Sequence, residues 1–394
     1  TREPESDIPQ FGVETLANYK FVFEADEMPV EIGKQKFFDI SVISQEELTR
    51  RFKQAHDALW AGGQLNPSEA FDELDKLIFC KIWDERKDRQ TGEPYDFQII
   101  QIEGKDEKDA VRKTNEALFK RVTALYEEGR QKDKEVFRDN IRLSPEKIRT
   151  IVGYLQDINL GETDLDSKGR AFETFMDSFF RGNFGQYFTP RPIVDFSVKV
   201  LPIKNDSYVL DTSCGSGGFL LYALNKVRKQ ADELYPRFKT DVNHNKRHFK
   251  YWHDFAENNL FGIEINEQIS RAAKMNMIIH DDGHTNVITS DGLLNEIEIS
   301  KLTENKGFKY NHFDFIITNP PFGSNVKKTE KSYLKNYFFG KKQPDWLDNK
   351  GSTRITSRNN QSTEVLFIEQ CYNFLAPGGY MAMVIPDGIL TNSS

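Results

Sequence analysis

Residues 318–323 read Thr-Asn-Pro-Pro-Phe-Gly and follow directly on an apolar run at 313–317. A strand that ends in an asparagine, two prolines and an aromatic ring can grip a flat substrate that bears an amino group. Pro320 and Pro321 fix φ and donate no N–H, which holds a turn open and leaves carbonyl oxygens free to accept hydrogen bonds. Asn319 adds a side-chain amide oxygen, and Phe322 adds a stacking face. An exocyclic NH2 held by two acceptors, with its ring stacked, is presented for methylation. A Pro-rich turn after a strand is the plain alternative for these residues taken alone.

Three further strand-like runs end in acids. The run at 208–210 leads into Asp211-Thr212-Ser213-Cys214-Gly215-Ser216-Gly217-Gly218-Phe219 and then a helical stretch. Glycines at such a turn let the backbone pass close under a nucleotide-like ligand, and Asp211 can hold a cationic or hydroxyl group. No Gly-Lys-Ser/Thr follows, so this is not a phosphate loop. Downstream, Gly262-Ile263-Glu264-Ile265-Asn266 puts Glu264 where an acid accepts both hydroxyls of a ribose, and Ser290-Asp291-Gly292 puts Asp291 where it can accept from an adenine amino group. Any one of these carboxylates is also readable as a strand-end cap or a solvated charge. In series they describe a nucleoside pocket, and the absence of a cation for a pyrophosphate in these turns favours S-adenosylmethionine over a dinucleotide. Upstream, Tyr187-Phe188-Thr189-Pro190 could close over the ligand's amino-acid end, although Thr189 followed by Pro190 is equally an ordinary helix start. The expected cofactor-contacting set is therefore Tyr187, Phe188, Thr189, Pro190, Asp211, Ser213, Gly215, Gly217, Gly218, Phe219, Glu264, Ile265, Asp291, Gly292 and Asn319.

The elements that must position these residues are legible as two patterns. From 44 to about 183 the signals are helical. Ser44 with Glu47, and Asn66-Pro67-Ser68-Glu69, have the form of capping boxes. Helical stripes follow in Phe71, Leu74, Ile78 and Ile82, in Val111, Leu118, Val122 and Leu125, and in Ile148, Ile151, Val152 and Leu155. These stripes are expected to be core. Residues 1–43 carry no assignable role, and 184–394 alternate β-type runs (208–210, 260–263, 287–289, 313–318, 380–385) with helical stretches. Alternation of that kind predicts an α/β fold with a parallel, doubly wound sheet that binds ligands at the carboxyl ends of its strands.

Composition bounds the remainder. The chain has 394 residues, a formal net charge of −8 and three widely spaced cysteines, Cys80, Cys214 and Cys371. These fit a reducing, cytoplasmic setting with no disulfide framework and no metal site. No apolar run approaches the roughly 18 residues of a membrane span. A uniformly basic nucleic-acid binder is excluded, so nucleic-acid contact must come from local patches. Two segments qualify: 324–362, where Lys327, Lys335, Lys341 and Arg358 mix with Tyr333, Tyr337, Phe338 and Phe339, and 226–250, which holds Arg228, Arg237, Lys239 and Arg247.

The order Tyr187-Phe188-Thr189-Pro190, Asp211 to Phe219, Gly262-Ile263-Glu264, Asp291, Asn319-Pro320-Pro321-Phe322 resembles the gamma-ordered amino-methyltransferases that act on DNA adenine N6. It is most similar to the modification (M) subunit of type I restriction-modification systems, with further similarity at 272–277, 363–367 and 377–388. One departure is Thr212, where that family usually carries Pro. The resemblance implies a Rossmann-like class I methyltransferase sheet behind an all-helical N-terminal domain, and S-adenosylmethionine as methyl donor. It also implies a site-specific, adenine-specific DNA methyltransferase within a restriction system. Asn319, Pro320, Pro321 and Phe322 then form the catalytic turn that takes a base flipped out of double-stranded DNA. Implied partners are a DNA-specificity (S) subunit and a restriction (R) subunit or fused nuclease domain. Cytosine N4, RNA or a protein glutamine as methyl acceptor, and a non-catalytic scaffold, stand as alternatives. Thr1 is not a start methionine, and a complete sheet of this type has two strands more than the five read here. The natural chain is therefore expected to extend beyond both ends and to complete a C-terminally truncated sheet.

Overall fold

The computed structural model describes residues 30–32, 35–37, 40–61, 65–87, 89, 93–132, 139–163, 167–172, 174–176, 189–280, 286–303, 305–327, 332–342 and 356–391. The chain divides into two compact units, Thr1–Ala171 and Phe172–Ser394.

In the first unit a short antiparallel hairpin, β1 (Val30–Ile32) and β2 (Gln35–Phe37), precedes the helices α1 (Gln45–Trp60), α2 (Pro67–Glu85), α3 (Glu107–Lys132) and α4 (Pro145–Leu155). Their apolar stripes close a common core that includes Phe71, Leu74, Ile78, Leu118, Val122, Leu125, Ile148 and Ile151. Val111 departs from its stripe: it stands near the start of α3 and is exposed. The two expected capping boxes also differ. At α2 the box is complete, with Asn66 Oδ1 accepting from the Glu69 N–H and Glu69 accepting from the Asn66 N–H, both at 2.9 Å. At α1 only half forms. Ser44 Oγ accepts from the Glu47 N–H, but the Glu47 carboxylate is drawn to the guanidinium groups of Arg50 and Arg51 along the helix, which hold it well below the usual carboxylate range.

The second unit is a three-layer α/β domain. Its strands β3 (Val209–Asp211), β4 (Leu260–Glu264), β5 (Asn286–Thr289), β6 (Phe313–Thr318) and β11 (Leu375–Met383) form a five-stranded parallel sheet in the order β11-β6-β3-β4-β5. Side chains alternate between its faces. Val209, Phe315 and Ile317 pack under α5 (Arg191–Val200), α6 (Gly218–Leu234), α7 (Val242–Asn259) and α8 (Glu267–Ile279). Leu210, Ile263 and Ile316 pack under α9 (Glu296–Leu302) and α10 (Thr363–Phe374). The last strand starts five residues earlier than its apolar pattern suggests. Pro377, Gly378 and Gly379 sit inside it at a register shift, where Gly378 takes φ +83° and a Cβ on Gly379 would stand 2.8 Å from the Asp314 carbonyl oxygen. Only a residue without a side chain passes there.

Between β6 and α10 the chain makes an excursion with two small antiparallel pairs. β7 (Asn325–Lys327) pairs with β10 (Asn360–Ser362), and β8 (Lys341–Lys342) with β9 (Thr356–Ser357). A short 3-10 turn, Ser332–Asn336, lies between the first members of each pair. After β11 comes α11 (Asp387–Thr391). No described helix is long and apolar enough to cross a membrane.

Replacing Asn66 by Ala removes the side-chain half of the α2 box, in which Asn66 Oδ1 accepts from the Glu69 N–H, and should lower the stability of the first unit by about 1 kcal/mol. Chemical denaturation of the two proteins measures it; the matching Ser44→Ala change also removes one side-chain cap bond and should cost a similar amount.

Candidate functional site

The sheet's strand order reverses between β3 and β6, so the loops after these two strands diverge from a common crevice at their carboxyl ends. Asp211, the last residue of β3, is almost fully buried. Its Oδ1 accepts from the Ser213 N–H at 3.1 Å, and its Oδ2 is buried with no hydrogen-bond partner. Burial pushes this carboxyl up to about 7, with the nearby Glu264 charge adding to the rise and the Thr318 and Ser213 donors offsetting only part of it. The loop then turns through two left-handed glycines, Gly215 (φ +53°) and Gly217 (φ +85°), before α6 begins at Gly218. A Cβ at Gly215 or Gly218 would meet nothing within 4 Å, so the backbone here borders open space. From below, Ala273 of α8 lies against Gly217, and Asn276 Nδ2 donates to the Ser216 carbonyl at 3.1 Å.

Glu264 joins the first loop to the second. Its Oε2 accepts from the Gly215 N–H at 3.1 Å and its Oε1 from the Asn266 N–H at 2.8 Å, and burial raises its carboxyl. Ile265, the next residue, stands 63% exposed beside it. The third loop is pressed close. A Cβ on Gly292 would come within 2.3 Å of the Thr212 carbonyl oxygen, so glycine is required for Asp291 to sit this near the first loop. Asp291 Oδ1 accepts from the Leu293 N–H at 3.0 Å, and Oδ2 accepts from the Tyr333 hydroxyl at 2.9 Å.

The fourth loop carries Asn319. Its Oδ1 is buried with no hydrogen-bond partner, while its Nδ2 donates to Thr189 Oγ1 at 2.9 Å. Thr189 is thus not the helix cap that its sequence suggests. Helix α5 begins at Arg191 with Pro190 in the capping position, which leaves the Thr189 hydroxyl to the site. Pro320 is buried, Pro321 is exposed, and Phe322 is 44% exposed ahead of Gly323 at φ +73°. Thr318, at the end of β6, ties this turn to the first loop: its hydroxyl lies 2.8 Å from Ser213 Oγ and accepts from Thr212 Oγ1 at 3.2 Å. The Thr212 hydroxyl also lies 3.4 Å from Cys371 Sγ of α10. Thr212, the departure from the family pattern, is therefore held by side-chain hydrogen bonds that proline could not make.

The structure accordingly brings together Thr189, Asp211, Ser213, Gly215, Glu264, Asp291, Gly292 and Asn319. Phe219 is placed otherwise, inside the core with Leu220 and Leu221. Tyr187 and Phe188 lie outside the described residues. Three groups were not singled out from the sequence as site residues: the Thr318 hydroxyl, the Tyr333 hydroxyl and Glu364. Glu364 is buried in the first turn of α10 with Oε2 unpartnered, one turn before Phe367 and two before Cys371, which approach Gly292 and Thr212. Such hydroxyls and a helix-turn carboxylate are too common to stand out before tertiary contacts are known.

The two basic segments fare differently. In 226–250, Arg228 is buried over the Trp252 ring and donates to the His280 carbonyl, and Lys226 donates to the carbonyls of Val198, Lys199 and Leu201 at the end of α5. Arg237, Lys239, Lys246 and Arg247 are exposed. In 324–362, Lys335, Phe338 and Phe339 are exposed, whereas residues 328–331 and 343–355 lie outside the described residues.

Asp211 generates a pH prediction. Its folded carboxyl titrates near 7, above the ordinary value of about 3.9, so folding binds a proton between these limits. The contribution is full below the unfolded value and is lost as pH rises through about 7. Asp211→Asn should therefore be more stable than the parent at pH 8 and close to it at pH 4, by a difference of up to roughly 4 kcal/mol. Urea unfolding across that range would reveal it; parallel stability profiles for the two proteins would refute it.

A cluster of buried acceptors at a topological switch point, next to glycines that border open space, is what known relatives can be asked to explain. A sequence profile described as N-6 DNA Methylase matches residues 163–394. The type I restriction enzyme EcoEI methylase subunit of Escherichia coli is 24% identical over 344 residues, covering 82% of this chain and 61% of that protein. The type II restriction enzyme and methyltransferase RM.BcgI of Heyndrickxia coagulans is 25% identical over 261 residues, 65% of this chain and 32% of that one. The chain thus spans less than two thirds of either relative. Among solved structures, the type I restriction-modification methyltransferase subunit of Streptococcus thermophilus superposes with a TM-score of 0.55 at 15% identity, covering 89% of this chain and 77% of that chain. That likeness carries the class I methyltransferase fold expected from the strand pattern, and the profile spans every strand end described above: the chain belongs to the N-6 DNA methylase family.

Proposed function

We propose that this chain is the methyl-transferring part of a DNA adenine N6 methyltransferase, of the kind that serves as modification subunit in a restriction-modification system. The observation that carries the proposal is Asn319 Oδ1. It is a buried, unpartnered acceptor on the turn that the Thr318 hydroxyl ties to Ser213, whose N–H in turn donates to Asp211. Buried polar atoms without partners are uncommon and costly, so an unpaired acceptor at such a place is reserved for a donor that arrives with a ligand.

The residues fit S-adenosylmethionine. Asp211 Oδ2 is a second unpartnered acceptor, suited to the ligand's cationic end, and Gly215 and Gly218 leave room for its backbone-side passage. Glu264 would hold the ribose and Asp291 the adenine amino group, with Ile265 against the base face. Ser213, Gly217, Gly292, Thr189 and Pro190 would shape the walls. Tyr187 and Phe188 would close the site. S-adenosylmethionine supplies a methyl group already activated on a sulfonium.

The chain's own task is presentation of the nucleophile. Adenine N6 is a poor one because its lone pair is delocalised into the ring. Asn319 Oδ1 and the Pro320 carbonyl would each accept one N6 hydrogen, which raises electron density on nitrogen and turns its lone pair out of the ring plane. Thr189, bonded to Asn319 Nδ2, keeps the amide oxygen facing inward. Phe322 would stack on the base after it leaves the duplex. The amino proton departs as the new bond forms, so alignment and electrostatics do most of the work and no strong base is needed. A double-stranded DNA substrate, a specificity subunit and a restriction subunit or fused nuclease domain complete the proposal, with exposed residues of 324–342 contacting phosphate and base.

Two sets of variants and one direct assay test this. Glu264→Ala and Asp291→Ala should each weaken S-adenosylmethionine binding by roughly 1–3 kcal/mol in titration calorimetry. Asn319→Ala should abolish methylation in the complete assembly while leaving cofactor affinity nearly intact, the signature of an interaction made with the reacting group alone. Mass spectrometry of nucleosides from a host expressing the complete system should find N6-methyladenine that disappears with Asn319→Ala. N4-methylcytosine instead would reassign the substrate, and no modified base in DNA would remove the proposed activity.

A further inference from the structure

Helix α10 packs on the sheet face opposite α6 and runs from the carboxyl ends of the strands to their amino ends, where β11 begins at Leu375 beside Phe313. Its start is fastened to the chain just past the Asn319 turn. The Thr363 N–H and hydroxyl both donate to the Ser324 carbonyl, at 3.0 and 2.9 Å, and Ser362 pairs with Asn325 where β10 meets β7. Farther along the helix, Phe367 and Cys371 face the first and third loops. A Cβ on Gly292 would come within 3.0 Å of the Phe367 ring, and Cys371 Sγ lies 3.4 Å from the Thr212 hydroxyl. Glu364 stands three and seven residues before these two, which puts all three on one helix face. It is the member of that face nearest the strands' carboxyl ends, between the third loop and the chain that leaves the Asn319 turn.

The Glu364 side chain is buried there, with the residue 8% exposed and Oε2 without a hydrogen-bond partner. An unpaired carboxylate so enclosed is costly, and an N–H or O–H that arrives with a ligand removes the cost. Asp211 Oδ2 and Asn319 Oδ1 are matched by donors in the proposed function, whereas Glu364 Oε2 is matched by none. The methyl-accepting adenine has no donor to spare, since its amino group is taken at the Asn319 turn and its ring edges offer acceptor nitrogens that a carboxylate repels. The cofactor does have one. Its own adenine amino group carries two hydrogens and, on the reading above, lies at the third loop, against which Phe367 packs one turn from Glu364.

We propose that Glu364 is a specificity-determining residue of the cofactor site, whose carboxylate accepts one hydrogen of the purine amino group and so selects a 6-amino over a 6-oxo purine. The inference rests on the cofactor reading and extends it to a residue of α10.

Titration calorimetry of the full chain with S-adenosylhomocysteine and with S-inosylhomocysteine, which carries a ring carbonyl in place of the amino group, tests it. The parent should prefer the amino compound by roughly 10-fold or more, because a site built to receive an N–H is left unpaired by an analogue without one. Glu364→Met, similar in length and apolar, should lose roughly 3- to 10-fold in affinity for S-adenosylhomocysteine and little for S-inosylhomocysteine, which narrows the preference. Its ligand-free thermal stability should not fall, since a buried carboxylate without a partner has been removed. Glu364→Gln can turn its amide N–H toward a carbonyl, and should narrow the preference by gaining affinity for S-inosylhomocysteine. A carboxylate that serves only the fold would instead lower stability in Glu364→Met and leave the preference as it was. An unchanged preference in either variant, or a parent that binds both compounds equally, would overturn the role of Glu364 and leave the cofactor reading standing. Should Glu364→Met fail to fold, the preference of Glu364→Gln decides alone. Failure of the parent to bind either compound would overturn the cofactor reading and this inference with it.

Discussion

The pairing of β3 with β6 is the constraint on which the site depends. Val209 and Leu210 lie in register with Phe315 and Ile316, so two segments about a hundred residues apart in sequence become neighbours in the sheet. Strands β4 and β5 extend to one side of this pair and β11 to the other. Crossovers on the two sides leave in opposite directions, which opens a crevice above the pair. The Asp211 loop and the Asn319 turn border that crevice by necessity, and the hydroxyls of Thr212, Ser213 and Thr318 stitch them together. A shift of one residue in this register would send Asp211 or Asn319 to the wrong height and exchange the faces of the strand.

The chemistry of the crevice is one-sided. Asp211 Oδ2, Asn319 Oδ1 and Glu364 Oε2 are all buried acceptors without partners, and Glu264 and Asp291 add carboxylates held by backbone donors. Concentrating acceptors raises the cost of the free site. Burial lifts the Asp211 and Glu264 carboxyls, and the Glu264 charge adds to the rise at Asp211. A ligand rich in donors and carrying positive charge relieves that cost on binding, and an anionic one would increase it. The same asymmetry separates this pocket from a phosphate-binding loop, which would need cations or free backbone N–H groups. Here the available N–H groups of Gly215 and Asn266 are spent on Glu264.

Local rules carried the prediction wherever a residue's role was decided by near neighbours. The α2 capping box, the five parallel strands and the glycines of the first loop follow from spacing and backbone sterics alone. Errors occurred where a distant partner outbid a local one. Thr189 serves Asn319, 130 residues away, instead of its helix; at Glu47 the competition is between two local partners, and the arginines one turn on win over the cap. Arg228, counted among surface charges, is buried over Trp252, and Phe219, counted among ligand contacts, fills the core. Pro377-Gly378-Gly379, which has the look of a turn, is absorbed as a bulge because β6 supplies a partner on either side of it.

The sequence by itself determined the fold class and the order of the strand ends, since apolar runs, glycines and acids at fixed positions along the chain are local properties. It also singled out Asp211, Glu264, Asp291 and Asn319, whose types match the chemistry of a nucleoside and its amino group. Only the tertiary structure decided which atoms of those residues remain free. That Asp211 and Asn319 each keep one unpaired acceptor, that Glu264 is committed to two backbone donors, and that Tyr333 reaches Asp291 across more than forty residues all depend on long-range hydrogen bonds. Such bonds form between side chains brought together by the burial of apolar surface elsewhere, and burial is a property of the whole chain rather than of any segment.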